Sequence, residues 1–148
     1  MMSMDLTARF HTYADDFERS YADRNWARLA PYFAADAVYE CKSPEALAFR
    51  VEGRAAILAR FESVTEAFDR RFDSRSLKFA STAVEGQTVT VTGLVLYTVS
   101  DAPPLRLPFT EFAEYRGGEI IRLEDAASVE AFGEVTEWMA RFADRLQR

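Results

Sequence analysis

From Arg75 to Ala126 apolar and polar residues alternate with few breaks, and this period of two constrains the fold most. Arg75 to Val84 reads as one strand. Thr88 to Val99 (TVTVTGLVLYTV) is the most strand-like stretch in the chain. Ser100–Asp101–Ala102–Pro103–Pro104 carries turn residues. Leu105 to Ala126 then reads as a hairpin turning at Gly117–Gly118. Successive strands with short connections require a mainly antiparallel sheet, one face of which must be covered.

The cover comes from amphipathic helices on either side. Leu6, Phe10, Tyr13, Phe17 and Tyr21 recur at steps of three and four and form one stripe. His11, the single histidine, lies off that stripe and is expected to face solvent. A short second helix is expected from Asn25, a capping residue, with Trp26, Leu29 and Phe33 turned inward. Pro31 within it predicts a kink, a 3₁₀ turn or an early stop.

Asp36 to Lys42 alternates like a strand, with Ala37, Tyr39 and Cys41 on one face. Ser43 to Gly53 is expected to be a loop acting as a lid or rim. Arg54 to Phe72 carries the stripe Ile57, Phe61, Val64 and Phe68. Phe132, Val135, Met139, Phe142 and Leu146 mark a final helix. The order α-α-β-α-β-β-β-β-α segregates helices from strands. It predicts an α+β fold, a single domain over residues 1–148, with a curved sheet wrapped against helices. The open mouth of such a sheet is where a pocket forms.

Composition narrows the function classes. A formal charge of -6 and scattered basic residues argue against a nucleic-acid binder. The longest apolar run, Gly93 to Tyr97, is too short to span a membrane, and MMSMDLTARF lacks a signal-peptide pattern. Cys41 is the sole cysteine, so no intrachain disulfide can form, and no Cys/His cluster points to a metal. The expectation is a cytoplasmic protein without metal or organic cofactor.

The hairpin holds the feature that asks for a function. Leu105, Leu107, Phe109, Ala113 and Tyr115 form its apolar side on one strand, Ile121 and Leu123 on the other. A turn centred on Gly118 pairs Tyr115 with Ile121, Ala113 with Leu123 and Glu111 with Asp125, which places two carboxyls on the apolar face. Burying them is costly. Without a cation beside them they cannot both ionise, and one keeps its proton near neutral pH. Such a pair supplies a general acid and a general base together. The bland alternatives are that Asp125 caps the last helix, a task Ser128 can also perform, and that Glu111 pairs with an arginine such as Arg71.

The stretches NWARLAPYFAADAVYE, GRAAILARF and GGEIIRLEDA resemble the nuclear-transport-factor-2-like superfamily, which includes ketosteroid isomerase, scytalone dehydratase, limonene epoxide hydrolase and the SnoaL-like polyketide cyclases. The resemblance implies a cone-shaped fold, a ligand cavity in the open end of the cone and frequent homodimers. In SnoaL-like cyclases a His and an Asp on the last two strands act on substrate; the Asp falls on Asp125, while Glu111 fills the His position. The isomerase base falls on Cys41, its first-helix tyrosine on Phe17, with Tyr13 one turn earlier, and its second acid on Glu111. The isomerase base is therefore missing.

Together these readings predict acid–base chemistry (isomerisation, cyclisation or dehydration) on a small apolar molecule. Asp125 is the expected acid/base, Glu111 its partner and Tyr13 a hydrogen-bond donor, with Phe17, Trp26, Tyr39, Cys41, Phe61, Tyr97 and Phe109 as the pocket wall. Other readings stay open: a non-catalytic binding domain, a dimeric scaffold or a protein-transport adaptor. An apolar-to-neutral patch on the outer sheet face, with Leu94, Leu96, Thr90, Thr92, Thr110 and Phe112, predicts a homodimer packed sheet to sheet.

Overall fold

A computed structural model describes residues 4–147 of the chain. The first three residues of the segment read for a signal peptide, and the last residue of the expected domain, lie outside them. Helix α1 (Leu6–Asp23) starts where the Asp5 side chain accepts from the Ala8 amide, and it ends at Arg24 in a left-handed conformation. Of its expected stripe Leu6, Phe10 and Tyr13 are buried and Phe17 and Tyr21 partly so, while Ala14 beside the stripe is buried as well. Pro31 has the anticipated effect: Trp26–Tyr32 is a 3₁₀ helix, not a short α-helix, and Asn25 makes no side-chain cap.

Six strands follow: β1 (Phe33–Ser43), β2 (Phe49–Glu52), β3 (Ser74–Glu85), β4 (Thr88–Thr98), β5 (Leu105–Arg116) and β6 (Glu119–Ala126). Their order in the sheet is β2-β1-β6-β5-β4-β3, and every neighbouring pair is antiparallel except β1 with β6. The sheet is curved and does not close. Strand β2 corrects the expected loop over Ser43–Gly53, where residues Phe49 to Glu52 pair with β1. Helix α2 (Arg54–Ala67) stops short of Phe72; a 3₁₀ turn over Asp69–Arg71 instead tucks Asp69 inside. Helix α3 (Val129–Phe142) is seated on Trp138, whose indole N–H donates to the Pro103 carbonyl at 2.8 Å.

The curvature has a local cause. Ala80 is an extra residue in β3 opposite Gly93, a bulge that increases twist. At Gly93 the Phe109 ring lies so close that a Cβ would sit 2.8 Å from it and 2.7 Å from the Lys78 carbonyl oxygen. The hairpin carries a second irregularity. Ala113 faces Leu123 and Glu111 faces Asp125 as predicted, but Tyr115 pairs with Ile120, not Ile121. Ile120 is fully buried, and Ile121, the extra residue of a bulge, only partly so.

Two apolar clusters result. One joins α1, α2 and the 3₁₀ segment to the sheet through Phe10, Leu29, Phe33, Ile57, Val91 and Leu123. The other gathers Phe72, Val95, Tyr97, Leu105, Trp138 and Leu146 under α3. Phe109 packs against both. On the outer face Glu40 is buried beneath Arg122 and Arg50, an ion-pair cluster that sequence alternation did not reveal. Among the described residues no helix is long and apolar enough to cross a membrane.

Candidate active site

Between the two clusters lies a cavity of about 350 Å³. Its walls are mainly apolar and rich in aromatic rings, and Phe10, Phe17, Phe61, Phe79 and Phe109 all line it. Strands β1, β6 and β5 bring Cys41, Asp125 and Glu111 abreast, because Cys41 and Glu111 are both register partners of Asp125. All three line the cavity.

The Glu111 carboxyl is pushed well above the usual carboxylate range, chiefly by burial and then by the charge of Asp125. Glu111 therefore keeps its proton to higher pH than an ordinary carboxyl does. Asp125 accepts from the Tyr39 hydroxyl through Oδ2 at 2.5 Å, while Oδ1 is buried with no donor unless Glu111 supplies its proton. The Tyr39 phenol is itself raised well above its ordinary value by burial and then by Asp125 and Glu111, so it remains a donor. Its ring is fixed edge-on to Phe49 at 4.9 Å and against Phe61 at 5.2 Å.

Neither carboxyl forms an ion pair among the described residues. Arg71, the possible partner of Glu111, donates to the Gln147 carbonyl instead. Nor does Asp125 cap α3, since Ser128 accepts from the Ala131 amide at 3.0 Å. Tyr13 lines the cavity near the pair. Burial raises its phenol well above the ordinary value, and the charges of Glu111 and Asp125 add to that. The short donor to Asp125 is nevertheless Tyr39, not Tyr13. Phe17, Cys41, Phe61, Tyr97 and Phe109 also reach the cavity. Trp26 does not line it: it is 4 % exposed and packs behind Phe17 and Phe61. Cys41 is a buried thiol whose ionisation is pushed up by burial and by Asp125. His11 is only half-buried, against Phe10 and Phe79.

A second polar group occupies the far wall. Asp69 is raised to about 6 by burial, against the pull of Arg75 and the Tyr97 hydroxyl. Arg75 Nε lies 3.0 Å from Asp69 Oδ2, and its Nη1 lies 2.7 Å from Glu18 Oε1. The Tyr97 hydroxyl donates weakly to Asp69 at 3.4 Å. Sequence reasoning missed both Asp69 and Arg60, a further cavity residue on α2. The available signal was spacing. Asp69 follows buried Thr65 by four positions, and Arg60 stands between Ile57 and Val64 at steps of three and four.

Residues 14–123 match the family model described as a SnoaL-like domain. The match takes in Tyr39 and Glu111 and ends just before Asp125. No curated protein is a significant match to the sequence. Among solved structures, a nuclear-transport-factor-2-like protein of unknown function from Burkholderia pseudomallei superposes with a TM-score of 0.65 at 15% identity, over 93% of this chain and 98% of that one. A Mycobacterium tuberculosis epoxide hydrolase gives 0.63 at 13% identity, over 90% and 93%. A Catenulispora acidiphila protein with a ketosteroid isomerase-like fold, solved with trimethylamine, gives 0.60 at 22% identity, over 80% and 87%. At these identities the likeness is one of fold.

Proposed function

This chain belongs to the SnoaL-like domain family, and from that premise we propose that it performs acid–base chemistry on a small, largely apolar organic molecule. The observation that carries the reading is the Glu111–Asp125 pair: two facing carboxyls in an aromatic-rich cavity, with Glu111 pushed well above the usual carboxylate range and no cation paired to either among the described residues. Asp125, held by the Tyr39 hydroxyl, takes a proton from a carbon beside a carbonyl group. Glu111 returns a proton to the enolate so formed. Tyr13, a neutral phenol in the same cavity, donates to the carbonyl oxygen and stabilises its developing charge. Isomerisation, aldol-type cyclisation and dehydration share this first step.

Hydrogen–deuterium exchange tests it without knowledge of the natural substrate. Aromatic ketones such as 2-tetralone are incubated with the protein in D₂O, and loss of the α-proton signal is followed by NMR. Wild type accelerates exchange, and Asp125→Asn lowers the rate by on the order of a hundredfold. Exchange at the uncatalysed rate with wild type, or at equal rates in both proteins, would overturn the reading. The unpaired Glu111 and the open cavity weigh against a purely scaffolding role. A homodimer formed through the outer sheet face around Phe112, and residence in the reducing cytoplasm, which suits the free Cys41 thiol, complete the proposal.

A further inference from the structure

Two arginines line the cavity, and their circumstances differ. Arg75 is held by Asp69 and Glu18. Arg60 forms no ion pair and no hydrogen bond among the described residues, and its Nε is buried without an acceptor. Its guanidinium lies over the face of the Phe49 ring, with Cζ 3.6 Å from the ring centroid. Stacking on an aromatic face orients a guanidinium and leaves its N–H edge free. A buried donor without an acceptor costs free energy, and a planar guanidinium is matched best by a carboxylate that accepts two parallel hydrogen bonds.

The position matters as much as the vacancy. Phe49 packs on Tyr39, and Tyr39 holds Asp125, so Arg60 and the carboxyl pair are fixed by one run of contacts. Cys41 stands abreast of Asp125 and also feels the charge of Arg60. Arg60 therefore sits on the same side of the cavity as the carboxyl pair. The remaining lining offers mostly aromatic and aliphatic surface.

We propose that Arg60 is the docking point for a carboxylate of the ligand, which makes the substrate class a small aromatic or alicyclic acid with an apolar body. The inference rests on reading the cavity as the site of acid–base chemistry. It adds an anchor that orients one end of the molecule while Asp125 acts on a neighbouring carbon. The opposite expectation, that carboxyls in an aromatic box select an organic cation, is set against it by the same experiment.

Three naphthalene probes of similar shape decide between them: 2-naphthoate, neutral 2-acetylnaphthalene and 2-naphthyltrimethylammonium, each titrated calorimetrically against the folded protein. Wild type binds 2-naphthoate about tenfold or more tighter than the neutral probe, as a charge-assisted pair requires. Arg60→Gln abolishes that preference and leaves the neutral probe's affinity within about twofold. Arg60→Lys keeps part of it, because the charge remains and the fork is lost. A wild type without preference, one that favours the cation, or an Arg60→Gln protein that still prefers the acid would each overturn the proposal. Should Arg60→Gln fail to fold, ¹⁵N-labelled wild type supplies the answer. The Arg60 Nε–H resonance shifts with 2-naphthoate and not with the neutral probe, and a resonance indifferent to both would overturn it equally. Binding is read here without turnover. An Arg60-dependent preference for the acid in a protein that exchanges no α-protons would remove the catalytic reading and leave the carboxylate site standing.

Discussion

Glu111 and Asp125 stand directly opposite one another on adjacent antiparallel strands, both open to the same cavity, and neither has a cation partner among the described residues. Two like charges at that separation cannot be held cheaply inside a protein. The pair therefore works against the fold wherever pH favours ionisation of both, and this gives it a signature in stability.

The sign follows from Glu111. Its folded carboxyl is raised well above the ordinary glutamate value, first by burial and then by Asp125. A raised carboxyl contributes stability that is fully present below its unfolded value and is lost as pH rises towards the folded one. Wild type should become less stable as pH climbs above about 4.5. Glu111→Gln should flatten that part of the profile and melt higher than wild type at pH 8. Thermal melting of both proteins across pH 5 to 9 checks it; parallel curves would remove the shared-proton pair.

The Tyr39 hydroxyl supplies the one short donor to Asp125, while its ring is held by Phe49 and Phe61. Tyr39→Phe removes the donor and keeps the packing. It should cost about 1.5–3 kcal/mol, the usual worth of a hydrogen bond to a charged group, measured by urea denaturation at pH 7. The α-proton exchange rate should fall with it. A variant as stable and as active as wild type would show that Asp125 does not depend on this contact.

The carboxyl pair was legible in sequence because two signals agree: a Gly117–Gly118 turn and the apolar side carried by Leu105, Leu107, Phe109, Ala113 and Tyr115, on which Glu111 falls. The bulge was not, since Ile120 and Ile121 are both apolar and alternation cannot say which of them faces Tyr115. Strand β2 escaped for a related reason: four residues of half-buried pattern behind Pro44 resemble a loop. The hold of Tyr39 on Asp125 was not legible, because strand alternation shows which face a side chain takes but not how far it reaches. Trp26 was assigned to the wall on hydrophobicity alone, and only packing reveals that Phe17 and Phe61 stand in front of it. Alternation and spacing did not single out Arg60 or Asp69, because the Asp69–Arg75 ion pair joins a 3₁₀ turn to the strand that follows it and Arg60 has no partner among the described residues.

Gly93 tests how the cavity gets its shape. An added Cβ would meet the Lys78 carbonyl oxygen at 2.7 Å and the Phe109 ring at 2.8 Å. The backbone atom cannot yield readily, so Gly93→Ala should destabilise by about 1–3 kcal/mol, as overpacking commonly does. It should also displace Phe109 and weaken binding of the neutral naphthalene probe. A variant of wild-type stability and affinity would mean that the sheet flexes at the Ala80 bulge without strain.

Phe112 lies half-buried on the outer face, beside Thr88, Glu114, Arg122 and Glu124 around a shallow depression. If two such faces pack together, Phe112→Glu places two charges at the contact and should convert a dimer to a monomer at micromolar concentration. Sedimentation velocity checks it. Monomeric wild type would refute the sheet-to-sheet dimer, and a dimer indifferent to the substitution would move the interface elsewhere.

The far wall predicts an asymmetry between two partners in one ion cluster. Asp69 is raised to about 6 from an ordinary value of 3.8, mainly by burial, with Arg75 only partly offsetting that cost. By the same linkage, its contribution to stability is fully present below pH 3.8 and is lost as pH rises through about 6. Asp69→Asn abolishes this loss and leaves Arg75 paired to Glu18, so at pH 7.5 it should cost little or nothing. Arg75→Gln is the opposite case. It strips the cation from both Asp69 and Glu18 and leaves a buried carboxyl uncompensated, a change that typically costs about 3–5 kcal/mol. Part of that cost should disappear at pH 5, where Asp69 accepts a proton and is no longer a buried charge. Urea denaturation of the two variants at pH 5 and pH 7.5 measures all four values. Equal losses in both variants, or an Arg75→Gln penalty unchanged by pH, would show that the cluster acts as one rigid salt bridge and that burial is not the larger influence on Asp69.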